Sequence, residues 1–446
     1  MTNYTFPRIN MDVLPEQAST TVSVTAKPLH MAPVFLFTAK GPEAYPTVGD
    51  SATIRSLFGS ESFDNTSVYF NHQTMAALKL MGYGKIGVIR LVPDGATYSS
   101  LVLQVTLTAT QLTQYQRNTD GTFILDTNGN KQPKLDSSGN AVVEAGWVAT
   151  WSTRALADGE EYDSIVSTQT GTTGNITSIT YPILALYGKY RGSAANRVGF
   201  RFYYTSSVDT TVMSRINAWL YRFQPVELVS TTSANVSTIS DIYTQTYNDV
   251  SLRASSTASV DPDTSEDMSM AGILSNNYQT TGDYSLDYDV HVYSDMVEAI
   301  GALLTKTSPS EFPSTMSPYM INILGGVDES GYAYNHFQVD DASAELLNST
   351  NSMFLTGGSD GDTSLSNFES MVIDYLTGSD NVAFLDQFRF PFTHFYDTGF
   401  TLSNKFSLLS MLSLRDGIYM QMTTFSASSA TANTQAQDQS AGAALL

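Results

Sequence analysis

The chain has 446 residues, enough for two to four domains, and carries 22 basic against 43 acidic side chains, a formal net charge of −21. That balance argues against direct nucleic-acid binding, because phosphates demand a basic footprint. The absence of cysteine rules out disulfides and thiolate metal sites. The histidines are scattered, no basic-then-apolar N-terminus reads as a signal peptide, and no run of about 18 apolar residues is present to insert into a membrane.

Residues 1–24 hold strand-like side chains, two prolines and no core of their own. Tyr4, Phe6, Ile9, Met11 and Val13 have nothing local to pack on, so the segment reads as an extended arm, able to add a strand to a neighbouring sheet edge. Val34–Ala39 is the first core strand. Residues 41–92 then form one loop–helix–loop–helix–strand unit. Asp50 or Ser51 caps a short helix that stops at Phe58-Gly59. A longer helix is expected from about Asn65 to Met81. At 100° per residue, Val68, Tyr69, His72, Met75, Ala76 and Leu80 share one arc, with Phe70, Ala77 and Met81 opposite. A helix apolar on two sides is covered on two sides, one of them by its own sheet and the other by something else, such as another subunit. Ile86–Val92 is a nearly continuous apolar run, as expected of an interior strand of a covered sheet.

After Pro93-Asp94-Gly95 the character changes. Residues 96–185 read as a β-rich insertion, with Leu101–Thr108 as a strand and turn dipeptides at Asp120-Gly121, Asn128-Gly129 and Ser138-Gly139 that signal hairpins. Asp126 opens a stretch like the start of a calcium loop, but Lys131 stands where that loop needs glycine. Residues 186–350 read as a second insertion of β and irregular character. It opens with the one dense basic cluster, Lys189, Arg191, Arg197 and Arg201, suited to an ion-pair contact with a neighbour. It also contains two acidic runs, around Asp261–Asp267 and Asp283–Asp289, that read as solvated loops.

From residue 351 to 425 the pattern is α/β again: a strand at Ser352–Leu355, a helix at Phe368–Leu376, strands at Ala383–Leu385 and Thr393–Tyr396, a helix at Lys405–Leu414 and a strand at Ile418–Thr423. Its strands are expected to join those at 34–39 and 86–92. The fold class is therefore an α/β core, a mixed sheet with covering helices, carrying large β-rich inserted domains: multidomain and α+β as a whole. Residues 426–446 are a low-complexity segment.

Three stretches carry a resemblance. The order Gly41-Pro42, Leu57-Phe58-Gly59, Tyr69-Phe70, Gly82-Tyr83-Gly84 and Val88-Ile89-Arg90-Leu91 resembles the first conserved unit of the contractile tail sheath proteins of bacteriophages. Leu355-Thr356-Gly357-Gly358-Ser359-Asp360-Gly361 is similar to that family's LxGGxDG turn. Tyr190 to Asn196 partly matches its YPGxxGN turn, with Arg191 in place of proline and Ala195 in place of the second glycine. The resemblance implies a structural virion protein, assembled in the host cytoplasm, that polymerises as stacked hexameric rings around a tail tube and contracts to drive the tube through the host envelope. It implies partners in copies of itself, the tube protein, and baseplate and tail terminator proteins, and neither cofactor nor metal. It raises the arm and the faces around Phe70, Met81, Arg191 and Arg197 as subunit contacts. Sheath proteins continue into a C-terminal domain that has no counterpart before Leu446, so this member departs from the pattern or the chain is truncated.

The alternatives are another phage structural protein, a baseplate component or adhesin, and a serine hydrolase. The last rests on Gly357–Gly361 as G-x-S-x-G, with Asp374 or Asp386 and then His394 in hydrolase order. Residues 361–364 separate Ser359 from the following helix, which suits a loop with Ser364 as helix cap better than a nucleophile elbow.

Overall fold

The computed structural model describes residues 31–59, 85–120, 122–172, 174–231, 237–240, 247–254, 258–273, 288–307, 317–332, 334, 336–397, 400–409, 414–415, 417–424 and 428–444. It is a multidomain α+β protein whose chain forms two compact units, one from residues 1–96 with 360–446 and the other from 97–359.

In the first unit, β1 (Met31–Leu36) pairs in parallel with β2 (Lys85–Arg90), Met31 opposite Lys85 and Leu36 opposite Arg90. Between them lies α1 (Ser51–Phe58). Asp50 caps it, one carboxylate oxygen accepting the Thr53 amide at 2.8 Å. Its buried Ile54 and Phe58 are one turn apart and pack on Val34, Leu36, Ile86 and Val88. The alternate side chains Phe35, Phe37 and Ile89 enter a second cluster. Both faces of the pair are therefore covered, which is why these strands are apolar throughout rather than alternating. Arg90 is fully buried at the end of β2. Its guanidinium donates to the Thr38 and Gly41 carbonyls and faces Glu43 at 3.4 Å. The expected helix at 65–81 lies outside the described residues.

The second unit begins with β3 (Tyr98–Thr113) and β4 (Val143–Arg154), a long antiparallel pair running from Val102 opposite Arg154 to Thr113 opposite Val143. β5 (Thr168–Thr172) and β6 (Asn175–Arg191) follow; β6 pairs with the other edge of β3. β6 runs unbroken through positions 185 and 186, where two insertions were expected to meet. β7 (Val198–Tyr203), α2 (Thr210–Ile216), β8 (Leu220–Thr231), β9 (Ser237–Ser240) and β10 (Tyr247–Ser251) come next, then β11 (Tyr288–Val292), α3 (Ser294–Thr307), β12 (Phe337–Val339), the single turn α4 (Asp341–Ala344) and β13 (Met353–Phe354). One sheet has the order β11-β6-β3-β4-β12 and the other β10-β8-β7-β13. A single core joins them: Leu103, Val105, Trp151 and Leu184 from the first sheet with Phe200, Phe202 and Phe223 from the second. Burial of these side chains at about 25 cal/mol per Å² is what holds both sheets in one body. The stretch read as irregular also contains α3, whose buried Val297, Ile300 and Leu304 fall at helical spacing.

The strand expected at 352–355 forms as β13, but it pairs antiparallel with β7 and not with β1 or β2. The chain then returns to the first unit with α5 (Leu365–Thr377), capped by Ser364 and burying Phe368, Val372, Tyr375 and Leu376. Residues 383–385, expected as a strand, belong to a helical turn, α6 (Val382–Leu385). A three-residue apolar run has no readable period; Phe384 is buried and Ala383 packs against the same core, while Val382 and Leu385 are exposed. β14 (His394–Tyr396) pairs in parallel with β15 (Tyr419–Gln421), and α7 (Leu402–Leu408) lies between them in sequence; it starts three residues before the helix expected at 405–414, of which 410–413 lie outside the described residues. The Thr393 amide donates to the Met31 carbonyl at 2.8 Å, tying β14 to the start of β1. The low-complexity segment contains α8 (Ser429–Ala444), whose alanine content favours helix without an apolar face.

Candidate assembly surface and glycine-turn clasp

β6 ends at Arg191, and the chain turns through Gly192 and a short 3-10 helix, Ala194–Arg197. The Gly192 amide donates to the Thr97 carbonyl at 2.9 Å, and its own carbonyl accepts from the Ser99 hydroxyl at 3.3 Å. Asn196 reaches from this turn to the second glycine motif. Its Nδ2 donates to the Gly358 carbonyl at 2.8 Å and its Oδ1 accepts the Gly358 amide at 3.1 Å. The two turns read separately as sheath-like in the sequence are thus one clasp, closed by a two-point amide–backbone pair. A Cβ on Gly358 would fall 2.0 Å from Ser99 Oγ and 2.5 Å from the Gly192 carbonyl oxygen, so only glycine fits.

Ser359 sits in an antiparallel bridge with Thr97, whose amide donates to the Ser359 carbonyl at 3.0 Å. α5 begins only at Leu365, with the Ser364 hydroxyl accepting the Asn367 amide. This is a paired loop and not the sharp strand–turn–helix apex of a nucleophile elbow. Asp386 accepts the amides of Phe388 and Arg389, and His394 Nδ1 lies 2.9 Å from the Thr393 hydroxyl. Each is engaged with its own neighbours.

Of the basic cluster, Arg191 stands opposite Tyr98 in the β3–β6 ladder. Arg197 is exposed and donates from Nε to the Leu228 carbonyl at 2.9 Å, and Arg201 donates to the Ser352 hydroxyl at 2.9 Å. The structure therefore uses these two guanidinium groups partly to tie β7 and its entry to the adjoining chain. The arm residues Tyr4, Phe6, Ile9, Met11 and Val13, and the helix residues Phe70, Ala77 and Met81, lie outside the described residues. Sequence reading missed another exposed apolar group: Val382 is 72% exposed, because 382–385 is a surface turn rather than a covered strand, and Phe388 in the turn that follows is 69% exposed. A spacing of three between Val382 and Leu385 was the available signal.

The acidic runs resolve differently. Asp261 is buried and bidentate with Arg215, at 2.8 and 2.6 Å, with Asp263 3.3 Å from the same guanidinium. The hydrogen bonds from Arg215 hold the Asp261 carboxyl down at about 2, from its ordinary 3.8. Asp126 Oδ1 accepts the amides of Asn128 and Asn130, both at 2.8 Å, which makes it a turn-former and keeps its carboxyl low. Asp283 and Asp287 lie outside the described residues. Among the described residues no group of three His, Asp or Glu is placed to hold a metal, and no helix is long and apolar enough to cross a membrane.

Residues 144–361, just under half of the chain, match the model of a bacteriophage protein family, phiKZ gp29PR. No curated protein matches. The family match supports a bacteriophage origin for the chain.

Proposed function

We propose that this protein is a subunit of a contractile bacteriophage tail sheath. The observation that carries the reading is that separate stretches point the same way. The sheath-like unit at 41–92 lies outside the phage-family match, and the match covers the middle of the chain at 144–361. The clasp between Asn196 and Gly358 adds that the other two sheath-like turns meet in space. In this reading the chain polymerises as stacked hexameric rings around the tail tube, in contact with baseplate and terminator proteins, within the virion. Its two compact units move as rigid bodies, and contraction proceeds because contacts between subunits are better in the shortened array, so that no nucleotide is consumed. Electron microscopy of the concentrated purified protein tests it. Rings or helical tubes are the expected result. Monomers at every concentration would overturn it and favour a baseplate component or adhesin.

A further inference from the structure

β3 and β4 do not end in a simple turn. Between Thr113 and Val143 the chain forms a knob with hairpin turns at 126–130 and 136–140, closed by the amides of Asp126 and Asp136 donating to the carbonyls of Asn130 and Asn140, and the Asn118 amide donates in the same way to the Thr122 carbonyl. The two hairpin turns are a sequence repeat, Leu-Asp-Thr-Asn-Gly-Asn at 125–130 and Leu-Asp-Ser-Ser-Gly-Asn at 135–140. Asp126 and Asp136 make the same paired acceptor contacts to the amides two and four residues on.

The strands of the knob meet in two closed rings of backbone hydrogen bonds. In one, Gln114 donates to Val142, Val142 to Lys134 and Lys134 to Gln114, at 2.8–2.9 Å. In the other, Gln116 donates to Gln132, Gln132 to Ile124 and Ile124 to Gln116, each at 2.9 Å. Each ring is a hairpin pair with one residue interposed. If residues 115–141 were removed, the Gln114 carbonyl and the Val142 amide, which now reach each other only through Lys134, would be left to bond directly. Gln114 to Val142 is the next step of the register that runs through Thr113 opposite Val143. The second ring repeats the construction one level further out, on the Gln116–Gln132 pair.

The rings pair the backbone of neighbouring strands, and among its described residues the knob beyond Gln114 contributes no buried side chain. Within the knob Phe123 lies against Tyr115, with Arg117 over its ring at 4.1 Å and Lys131 at 4.4 Å, and the Arg117 charge also reaches Tyr334 outside it. Leu125 and Leu135 are both 54% exposed. The family match starts at residue 144, just past the knob.

We propose that residues 115–141 are a separable cassette, spliced into the β3–β4 hairpin by nested hairpin insertion, and that they form the outward-facing surface of the assembly rather than a contact between subunits. The second half rests on the sheath reading; the first does not. The experiment replaces 115–141 by Asn-Gly, which makes a two-residue hairpin turn, and in a second variant inserts an epitope tag between Asn128 and Gly129. Thermal unfolding followed by tryptophan emission reads residues 97–359, which hold all three tryptophans, Trp147, Trp151 and Trp219. An unchanged midpoint in the deletion supports the cassette, and loss of the folded transition overturns it, whether or not the parent protein polymerises. Where the parent forms tubes, the deletion is expected to form them equally and antibody is expected to decorate the tagged tubes along their outer wall. Tubes lost on deletion, or tagged tubes that bind no antibody, overturn the outward placement.

Discussion

Gly361→Ala separates a turn held by close packing from one shaped for catalysis. Gly361 has φ +72°, and a Cβ there would lie 2.4 Å from the Asp94 carbonyl oxygen, 2.6 Å from the Ala96 amide nitrogen and 3.0 Å from the Pro93 carbonyl oxygen. All three are backbone atoms and cannot swing aside. The left-handed conformation costs a non-glycine residue about 1–2 kcal/mol. Moving the turn also breaks the 2.8 Å bond from the Asp362 amide to the Asp94 carbonyl, worth about 1 kcal/mol net. Together with residual overlap the loss comes to about 2–4 kcal/mol. Gly95→Ala is the control. Its φ is +73°, but nothing lies within 4 Å of the added carbon, so only the conformational cost of about 1–2 kcal/mol remains. Ser359→Ala, in the same turn, should change stability by less than about 0.5 kcal/mol. Urea unfolding followed by far-ultraviolet circular dichroism measures all three. Tryptophan emission serves as a reporter for residues 97–359 and should move least, since Gly361 packs within the other unit. If Gly361→Ala destabilises no more than Gly95→Ala, the close-packing argument is wrong.

Asn196→Ala removes both bonds to Gly358 and should lower stability by about 1–3 kcal/mol, read by tryptophan emission in urea. Lys405→Met strands Asp397, which is buried with it and bonded to it alongside Thr423. It should cost about 3–5 kcal/mol, and the double variant with Asp397→Leu should cost less than the single, as measured by thermal unfolding. The Asp261 carboxyl, held at about 2 against an ordinary 3.8, contributes stability that is present above about pH 3.8 and lost as pH falls toward 2. Arg215→Met removes the cause, so acid unfolding followed by tryptophan emission should begin at higher pH, and an unchanged acid midpoint would contradict the assignment. Phe368→Ala, which opens a cavity between α5 and the β1 face, should cost about 3–5 kcal/mol in the dichroism transition.

Some of this fold was legible in one dimension. Asp50 before α1, Ser364 before α5, the apolar β1 and β2, and the hairpin turns at Asn128-Gly129 and Ser138-Gly139 all act within a few residues, where capping, period and turn chemistry are local. The runs around 383–385 and 352–355 were not. One is too short to show a period, and the other is a strand whose partner is chosen by the sheet that stands beside it. α3 was legible in Val297, Ile300 and Leu304 but lay within a stretch dominated by serine, threonine and aspartate.

The sequence by itself determined which segments bury apolar surface, which turns carry glycine, and that cysteine chemistry is not available to this chain. Only the tertiary structure decided that Asn196 finds Gly358, that Arg215 finds Asp261, and that Gln114, Lys134 and Val142 close a ring. Those contacts join residues far apart in the chain, and hydrogen bonding at 3 Å depends on where whole strands settle against a shared core.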